Sequence, residues 1–499
     1  MEAALKQAPS LAEKKEEGRL IHILTGTQKP TFHTEALPRP ATRLNDSQQE
    51  AVNKILAANE LAIVHGPPGT GKTTTLVQAI KALLQQERQQ VLVVAPSNAA
   101  VDLLSEKLSD EGLNVVRVGN PARVNERQME LTLDSKIAAH NSAKEIKRLK
   151  RQASEYRDMA HKYKRNFGAA EREQRNALFA EARNISKEIE QTEQYIVKDI
   201  LSRADVVTAT LVGANHYTVR HLRYHTVVID EAGQALEPAC WIPILKAKKV
   251  IMAGDHQQLP PTIKSEAVAK ELCTTLMEKL VDLHPEAVVL LKEQYRMNEV
   301  IAGFPSRELY EGKLKAAPSV AHWKLFAADL PLLFIDTAGC GFEEKREDIS
   351  LSNPEEARFL LEQVSRYVQE LQIIYTTSAF PNIAVISPYR HQVEILKEGV
   401  PSHSSLQELN GVLSVNTIDS FQGQERDAVF ISMTRSNADS TIGFLTDIRR
   451  MNVAMTRARK KLVVVGDSAT LSQFPFYADF IQYAQEHNAY QSAWELMEW

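Results

Sequence analysis

Gly66-Pro67-Pro68-Gly69-Thr70-Gly71-Lys72-Thr73 stands between the apolar run Leu61-Ala62-Ile63-Val64 and a helical pattern made by Leu76, Val77, Ala79, Ile80, Leu83 and Leu84. A strand delivers the chain to a turn where Gly66, Gly69 and Gly71 carry no Cβ, so backbone N–H groups can close around phosphate oxygens at a helix N-terminus. In that setting Lys72 reaches the β- and γ-phosphates of a nucleotide, and Thr73 puts a hydroxyl where Mg²⁺ sits. Pro67, Pro68, Thr70 and Thr74 complete the nucleotide-binding set. Spacing, the Lys-Thr pair and the strand-loop-helix order agree, and together they predict an α/β domain built around a phosphate loop.

Outward from that loop, short apolar runs recur with helical stretches between them: Val91–Ala95, Val115–Val118, Val206–Ala209, Val227–Ile229, Val250–Ala253 and Val288–Leu291. Continuous apolar strands of this kind suit a parallel sheet covered on both faces. The same grammar restarts at Leu332–Ile335, Ile383–Ile386, Leu413–Val415, Ala428–Ser432 and Leu462–Val465, with a helical stretch at Glu355–Leu371. At 499 residues the chain exceeds one core. The expected division is an extension over 1–43 with one short helix near Leu11–Leu20, a first α/β domain over 44–124 and 201–292, an inserted helical hairpin over 125–200, a second α/β domain over 293–478, and a tail over 479–499. Pro30, Pro38 and Pro40 break the end of the extension, and Asn45 or Asp46 caps the helix that carries Val52, Ile55 and Leu56 on one face.

In the insertion Ile146, Leu149, Ala153, Tyr156, Ala160, Tyr163 and Phe167 recur three and four apart, and after Gly168 the pattern resumes at Leu178, Ala182, Ile185, Ile189, Thr192 and Ile196. Its first arm is rich in cations (Lys144, Lys147, Arg148, Lys150, Arg151, Arg157, Lys162, Lys164 and Arg165), which fits a solvated helix face and a nucleic-acid contact equally well.

A formal charge of −4 excludes a globally basic footprint while leaving room for local basic surface. The three cysteines, Cys240, Cys273 and Cys340, are widely spaced, so neither a disulfide framework nor a zinc module is expected, and a reducing compartment fits. Nowhere do 18 apolar residues follow one another, so no membrane span is expected, and cytoplasmic residence, or nuclear in a eukaryote, follows.

Val227-Val228-Ile229-Asp230-Glu231-Ala232 is an apolar strand ending in paired carboxylates. Asp230 at the strand tip can hold Mg²⁺ through its hydration shell, and Glu231 can polarise an attacking water. The fuller string Asp230-Glu231-Ala232-Gly233-Gln234-Ala235 is more particular than a generic strand tip, and here the sequence resembles a superfamily 1 helicase of the subgroup that includes the nonsense-mediated decay helicase and the immunoglobulin-mu-binding helicase. The resemblance runs from Leu44 to about Ser468, with motifs in the family's order.

That resemblance implies two tandem RecA-like domains and a site residue by residue. Gln48 would read the adenine edge. Ser97 and Asn98 in Ala95-Pro96-Ser97-Asn98, and Thr208 and Thr210 in Thr208-Ala209-Thr210, would touch the nucleic-acid backbone. In Gly254-Asp255-His256-Gln257-Gln258-Leu259-Pro260-Pro261, Gln258 would sense the γ-phosphate. Gln294-Tyr295-Arg296-Met297 would offer Tyr295 to adenine and Arg296 to the γ-phosphate. In the stretch from Val415 to Glu425, which includes Gln422, Thr417 would lie near the strand and Glu425 near the ribose. Arg457, in the stretch Arg449 to Arg459, would be an arginine finger, and Pro388 and Tyr389 in Ser387-Pro388-Tyr389-Arg390-His391-Gln392 would lie beside the strand.

An arginine supplied from the opposite domain helps phosphoryl transfer only when the cleft is shut, so closure and hydrolysis are linked. In this family a small β-barrel precedes the adenine-reading glutamine, and residues 1–43 are too few for it. The expected function is an ATP- and Mg²⁺-dependent helicase or translocase on single-stranded DNA or RNA, running 5′ to 3′, with a non-unwinding ATP-switched clamp as the alternative. A signalling GTPase is excluded because no Asn-Lys-x-Asp base reader is present.

Overall fold

The computed structural model describes residues 1–14, 18–33, 44–119, 126–162, 168–263, 272–347, 350–409, 411–421 and 423–497. Pro38, Pro40, Tyr163, Lys164, Arg165, Phe167 and Gln422, and the boundary expected at 124/125, lie outside the described residues.

Strands β1 (Leu61–His65), β2 (Val91–Ala95), β3 (Val115–Arg117), β4 (Val206–Thr210), β5 (Tyr224–Ile229), β6 (Ala247–Gly254) and β7 (Val288–Leu290) form one parallel sheet in the order β3-β4-β2-β5-β6-β1-β7. Their apolar runs are continuous because both faces are covered. Leu61 and Ile63 enter the core on one side of β1, and Ala62 and Val64 enter the core on the other.

A short parallel pair, β8 (Glu293–Gln294) with β9 (Lys315–Ala316), leads to the second sheet. That sheet starts with β10 (Leu332–Asp336), which is followed by the antiparallel ribbon β11 (Lys345–Glu347) and β12 (Ser350–Ser352). It continues through β13 (Ile383–Ser387), β14 (Leu413–Thr417), β15 (Arg426–Ser432), β16 (Ala458–Gly466) and β17 (Tyr490–Ser492), all parallel, in the order β14-β13-β15-β16-β10-β17. The same alternation holds here, with Ala384 and Ile386 facing one core and Ile383 and Val385 the other. The molecule is therefore α/β, with two tandem RecA-like parallel-sheet domains.

The expectation of a tail over 479–499 is corrected. Helix Pro475–Glu486 runs across that boundary and buries Phe480, Ile481, Tyr483 and Ala484, and β17 then adds a strand beside β10. The ring of Phe480 lies 5.0 Å from that of Phe304 and 6.0 Å from that of Phe334, edge-on to both, an arrangement that favours aromatic pairs beyond simple burial. The N-terminal residues also differ from expectation. Instead of one helix near Leu11–Leu20, helices Glu2–Ala12 and Arg19–Leu24 form, and Leu20, Ile21, Ile23 and Leu24 join the first domain's core.

The insertion holds the short helix Leu133–Ala139 and the hairpin helices Ala143–His161 and Ala169–Arg203, the last running three residues beyond the expected end at 200, and each hairpin helix buries a stripe (Ile146, Leu149, Ala153 and Ala160; Ala182, Ile185, Ile189 and Ile196). Lys150 meets Glu193 at 2.8 Å and Arg157 meets Ser186 at 2.8 Å, so a step up one arm matches an equal step down the other, as antiparallel helices require. Cations of the first arm are answered inside the hairpin: Arg148 by Glu145, Lys150 by Glu193, and Arg151 by Glu155 at 3.0 Å. Among the described residues no helix is long and apolar enough to cross a membrane.

In the second domain, Glu356 is fully buried near the N-terminus of helix Pro354–Ile374. Its Oε1 accepts from Ser432 Oγ at 2.5 Å and from Thr434 N at 2.8 Å, while Oε2 is buried with no hydrogen-bond partner. Burial pushes this carboxyl from 4.5 up to about 7. The folded state thus prefers the protonated acid, and the stability this contributes is full below the unfolded value and lost as pH rises through the folded one. Replacing Glu356 by Gln should remove a decline worth about 3 kcal/mol between those limits. Urea midpoints should fall from acid to mildly alkaline pH in wild type and stay level in this respect in Glu356→Gln, so that the two proteins separate on the alkaline side. Parallel pH dependences in the two proteins would show that the carboxyl is already ionised when buried.

Candidate active site

The C-terminal ends of β5, β6 and β1, neighbours in the first sheet, carry Asp230, Asp255 and the phosphate loop. Gly69 (φ 77°) and Gly71 (φ 72°) are left-handed, where a side chain is disfavoured, and Gly71 caps helix Lys72–Glu87. The loop is held from inside by Thr70 Oγ1 donating to Pro67 O at 2.7 Å and from β6 by Gly66 N donating to Gly254 O at 2.9 Å. It is also clasped from two sides. A Cβ on Gly71 would lie 2.6 Å from Gln48 Nε2, and one on Gly69 would lie 2.6 Å from Arg296 Cβ.

Gln48 does not hold its amide out toward a base. Its Oε1 accepts from Asn45 N at 3.1 Å while Gln48 N donates to Asn45 Oδ1 at 2.9 Å, a capping box for helix Asp46–Ala57, and its Nε2 donates to Thr70 O at 2.9 Å. Both ends of the amide are occupied in supporting the phosphate loop.

Lys72 Nζ sits 2.7 Å from Glu231 Oε1 and 3.5 Å from Asp230 Oδ1. Burial works against the ammonium, but Glu231 and Asp230 outweigh it and raise its pKa well above the usual lysine value. For Asp230, burial raises the carboxyl more than Lys72 lowers it. Asp230 Oδ1 is buried without a hydrogen-bond partner, and Thr73, beside Lys72 at the helix start, offers a hydroxyl. An orphaned carboxylate oxygen and a hydroxyl are hard oxygen donors, so these residues fit Mg²⁺. Glu231 itself is left-handed (φ 51°), a conformation costly for a residue with a side chain and one that sets its carboxylate apart from the strand.

The other wall comes from the second half of the chain. Tyr295 N donates to Gly69 O at 2.8 Å, and Tyr295 Oη, on a half-exposed ring, accepts from Asn45 Nδ2 at 2.9 Å. Arg296 Nε lies 2.9 Å from Glu425 Oε2, and its Nη1 donates to Thr456 O at 3.2 Å. Arg457, only 2% exposed, donates Nε to Val453 O (3.0 Å), Nη1 to Gln424 O (3.1 Å) and Nη2 to Gln258 Oε1 (3.4 Å). Burial and then Arg296 push Arg457 down to about 9, which leaves it a cation at neutral pH. Burial likewise lowers Arg296, with Glu425 opposing. The phosphate loop, Glu231, Gln258, Tyr295, Arg296, Glu425 and Arg457 line one cleft of about 780 Å³.

The residues expected on the nucleic acid are more dispersed. Ser97 is exposed but accepts from Ala100 N at 3.2 Å as a helix cap, and Asn98 Oδ1 accepts from the buried Arg117 at 2.7 Å. Thr210 Oγ1 accepts from Gly213 N at 3.0 Å, Thr417 Oγ1 lies 3.2 Å from Ser420 Oγ, and Pro388 is half-buried. Two placements are corrected. Thr208 is fully buried, its hydroxyl 2.7 Å from Ser105 Oγ, so it braces helix Asn98–Asp110 against the sheet. Tyr389 is 3% exposed, and its hydroxyl donates to Ile442 O at 3.4 Å, so it cannot stack on a base; the neighbouring ring of Phe444, 5.9 Å away, is 62% exposed instead. Residues that pattern reading missed are His65, Asp255, Tyr310 and Asn452, all buried under Gln258. Asp255 stands within a quoted motif, whereas no local signal marks Tyr310.

Two profiles, each described as an AAA domain, match residues 43–266 and 272–469. The uncharacterised ATP-dependent helicase of Methanocaldococcus jannaschii is 34% identical over 94% of this chain and 74% of its own length. The chain belongs to the superfamily 1 helicases, in the subgroup of the nonsense-mediated decay helicase. Within that family it is 39% identical to DNA-binding protein SMUBP-2 of Rattus norvegicus over 96% of this chain and 48% of that protein. It is 32% identical to the regulator of nonsense transcripts 1 homolog of Arabidopsis thaliana over 98% of this chain and 38% of that protein. The chain thus spans about half the length of the mammalian relatives it matches.

Because the loop of this superfamily 1 helicase touches Arg296 through a missing Cβ, Gly69→Ala should both strain the backbone and push the second half away. Left-handed strain alone is worth ~1–2 kcal/mol, so affinity for a fluorescent ATP analogue should fall about tenfold or more with circular dichroism unchanged. Wild-type affinity would mean that loop and arginine do not meet in solution.

Proposed function

We propose that the protein is an ATP-driven motor on single-stranded nucleic acid, DNA or RNA, that hydrolyses ATP between its two halves and moves or unwinds the strand 5′ to 3′, the direction the family resemblance implies. The observation that carries this reading is the delivery of two arginines, the partly buried Arg296 and the buried Arg457, from the second half to the phosphate loop of the first. Two cations that repel each other in a buried cleft favour an anion as rich as a triphosphate.

Lys72, now paired with Glu231, is the group that turns to the β- and γ-phosphates. Glu231 is thereby released to accept a proton from a water in line with the γ-phosphate. Asp230 and Thr73 would hold Mg²⁺, which supplies charge neutralisation on the phosphate oxygens when bound. Gln258, whose Oε1 meets Arg457, senses the γ-phosphate through that arginine, Tyr295 and Glu425 flank base and ribose, and the arginines offset charge that builds on the transferring group. Ser97 on the cleft wall, and Asn98, Thr210, Pro388 and Thr417 beyond it, present hydroxyl, amide and backbone groups to phosphates, which hold a strand in any base sequence. Thr208 and Tyr389 act from beneath, and the exposed ring of Phe444 is available to a base. The internal pairing of Arg148, Lys150 and Arg151 favours the solvated-face reading of the hairpin.

Glu231→Gln should retain ATP affinity and lose turnover, and Arg457→Ala should lower turnover by ~10³ or more while binding persists. Phosphate-release assays with parallel nucleotide titrations check both, and normal turnover in Glu231→Gln sinks the site assignment. Neutralising Arg148, Lys150 and Arg151 together should leave strand affinity and its salt dependence unaltered. A slope flattened by about 0.7 per substituted residue would put phosphates on the hairpin after all.

A further inference from the structure

Beneath Gln258 lies a buried polar cluster that the proposed chemistry does not use. Asp255, at the end of β6 and 3% exposed, collects four donors. Its Oδ1 accepts from His65 Nε2 at 2.9 Å and from Gln257 N at 3.0 Å, and its Oδ2 accepts from Gln258 Nε2 at 2.8 Å and from Tyr310 Oη at 2.8 Å. Three of these come from the first domain. Tyr310, 2% exposed, comes from the second, where it caps helix Glu299–Leu309. Its hydroxyl also accepts from Asn452 Nδ2 at 3.0 Å, and that amide nitrogen reaches Gln257 O at 2.7 Å. Asn452 stands on helix Ile448–Met455, whose Val453 O holds the guanidinium of Arg457.

With Nε2 tied to Asp255, the amide of Gln258 turns Oε1 to the cleft, where Arg457 Nη2 meets it at 3.4 Å. A buried carboxylate that loses one donor must find another or bear the desolvation cost, and the mobile candidate is the Gln258 amide itself. The geometry points to Tyr310 as a positioning residue for Gln258: its hydroxyl, acting through Asp255, makes the orientation of that amide depend on the second domain being seated against the first. Asp255 and Tyr310 keep their protonation states over the working range. Burial opposes the Asp255 carboxylate, but the hydrogen bond from His65 and the other donors hold it below the ordinary range, and burial with Asp255 pushes the Tyr310 hydroxyl well up. Tyr310 thus remains a donor to an ionised partner, and the link is set by position.

The inference rests on the ATPase reading above, and a double-mutant cycle separates the two. Tyr310→Phe removes one hydroxyl at constant ring volume. Turnover with and without a thymidine oligonucleotide should fall about tenfold or more, the scale of a hydrogen bond to a charged group, with KM for ATP and melting temperature near wild type. In a Gln258→Ala background the same substitution should cost almost nothing, since there is no amide left to orient. Asn452→Ala, which strips the tyrosine of its other partner, should lower kcat in the same KM-neutral way. Additive losses in the cycle, wild-type kcat in Tyr310→Phe, or loss of kcat only alongside a collapse in melting temperature that Asn452→Ala does not reproduce would each overturn the assignment. Normal turnover in Glu231→Gln would instead remove the ATPase reading, whatever the cycle shows.

Discussion

The ammonium of Lys72, held 2.7 Å from Glu231 and 3.5 Å from Asp230, is the interaction on which the rest of the molecule bears. The buried Asp230 and the partly buried Lys72 and Glu231 share this corner only if each answers the other, because an unpaired charge at the Asp230 position would be strongly destabilising. The sheet makes this possible. The strand order places β5, β6 and β1 side by side, so the loops that leave their C-terminal ends converge. Covering that sheet with helices on both faces keeps water out from below, and only the cleft side stays open to a polyphosphate.

The second domain completes the electrostatics that the first leaves unfinished. The partly buried Arg296 lies near the buried Arg457, and each is lowered by its surroundings. Two cations in that state gain from an incoming anion, which ties nucleotide occupancy to the apposition of the domains. The Asp255 cluster adds a second tie of a different kind, short-range and directional, through a hydroxyl whose partner lies across the cleft. Charge draws the halves toward the nucleotide, and directional hydrogen bonds define how they seat.

Much of this was legible from pattern alone. The apolar strand runs are unmistakable because a parallel sheet buried on both sides tolerates no polar alternation. The phosphate loop and the Asp230-Glu231 pair are legible because their chemistry depends on spacing along the chain. Strand β17 was not, since Tyr490-Gln491-Ser492 is short and polar and is a strand only because β10 offers it an edge. The N-terminal helices were misplaced for a similar reason: their order comes from docking Leu20, Ile21, Ile23 and Leu24 on a core that local sequence cannot display.

Sequence by itself determined the two α/β halves, the single phosphate loop, the residues that surround it and the family to which they belong, because strand hydrophobicity and turn chemistry act between near neighbours. Tertiary structure alone decided which motif residues face outward. Thr208 and Tyr389 carry the right chemistry for a strand contact yet lie buried, and Gln48 spends its amide on Asn45 and Thr70. It alone also brought His65, Tyr310 and Asn452 to Asp255 and its neighbours. These partners stand 190, 55 and more than a hundred residues apart along the chain. Burial and hydrogen-bond choice depend on what packs above a side chain, and that is fixed only when both sheets are folded and set against each other.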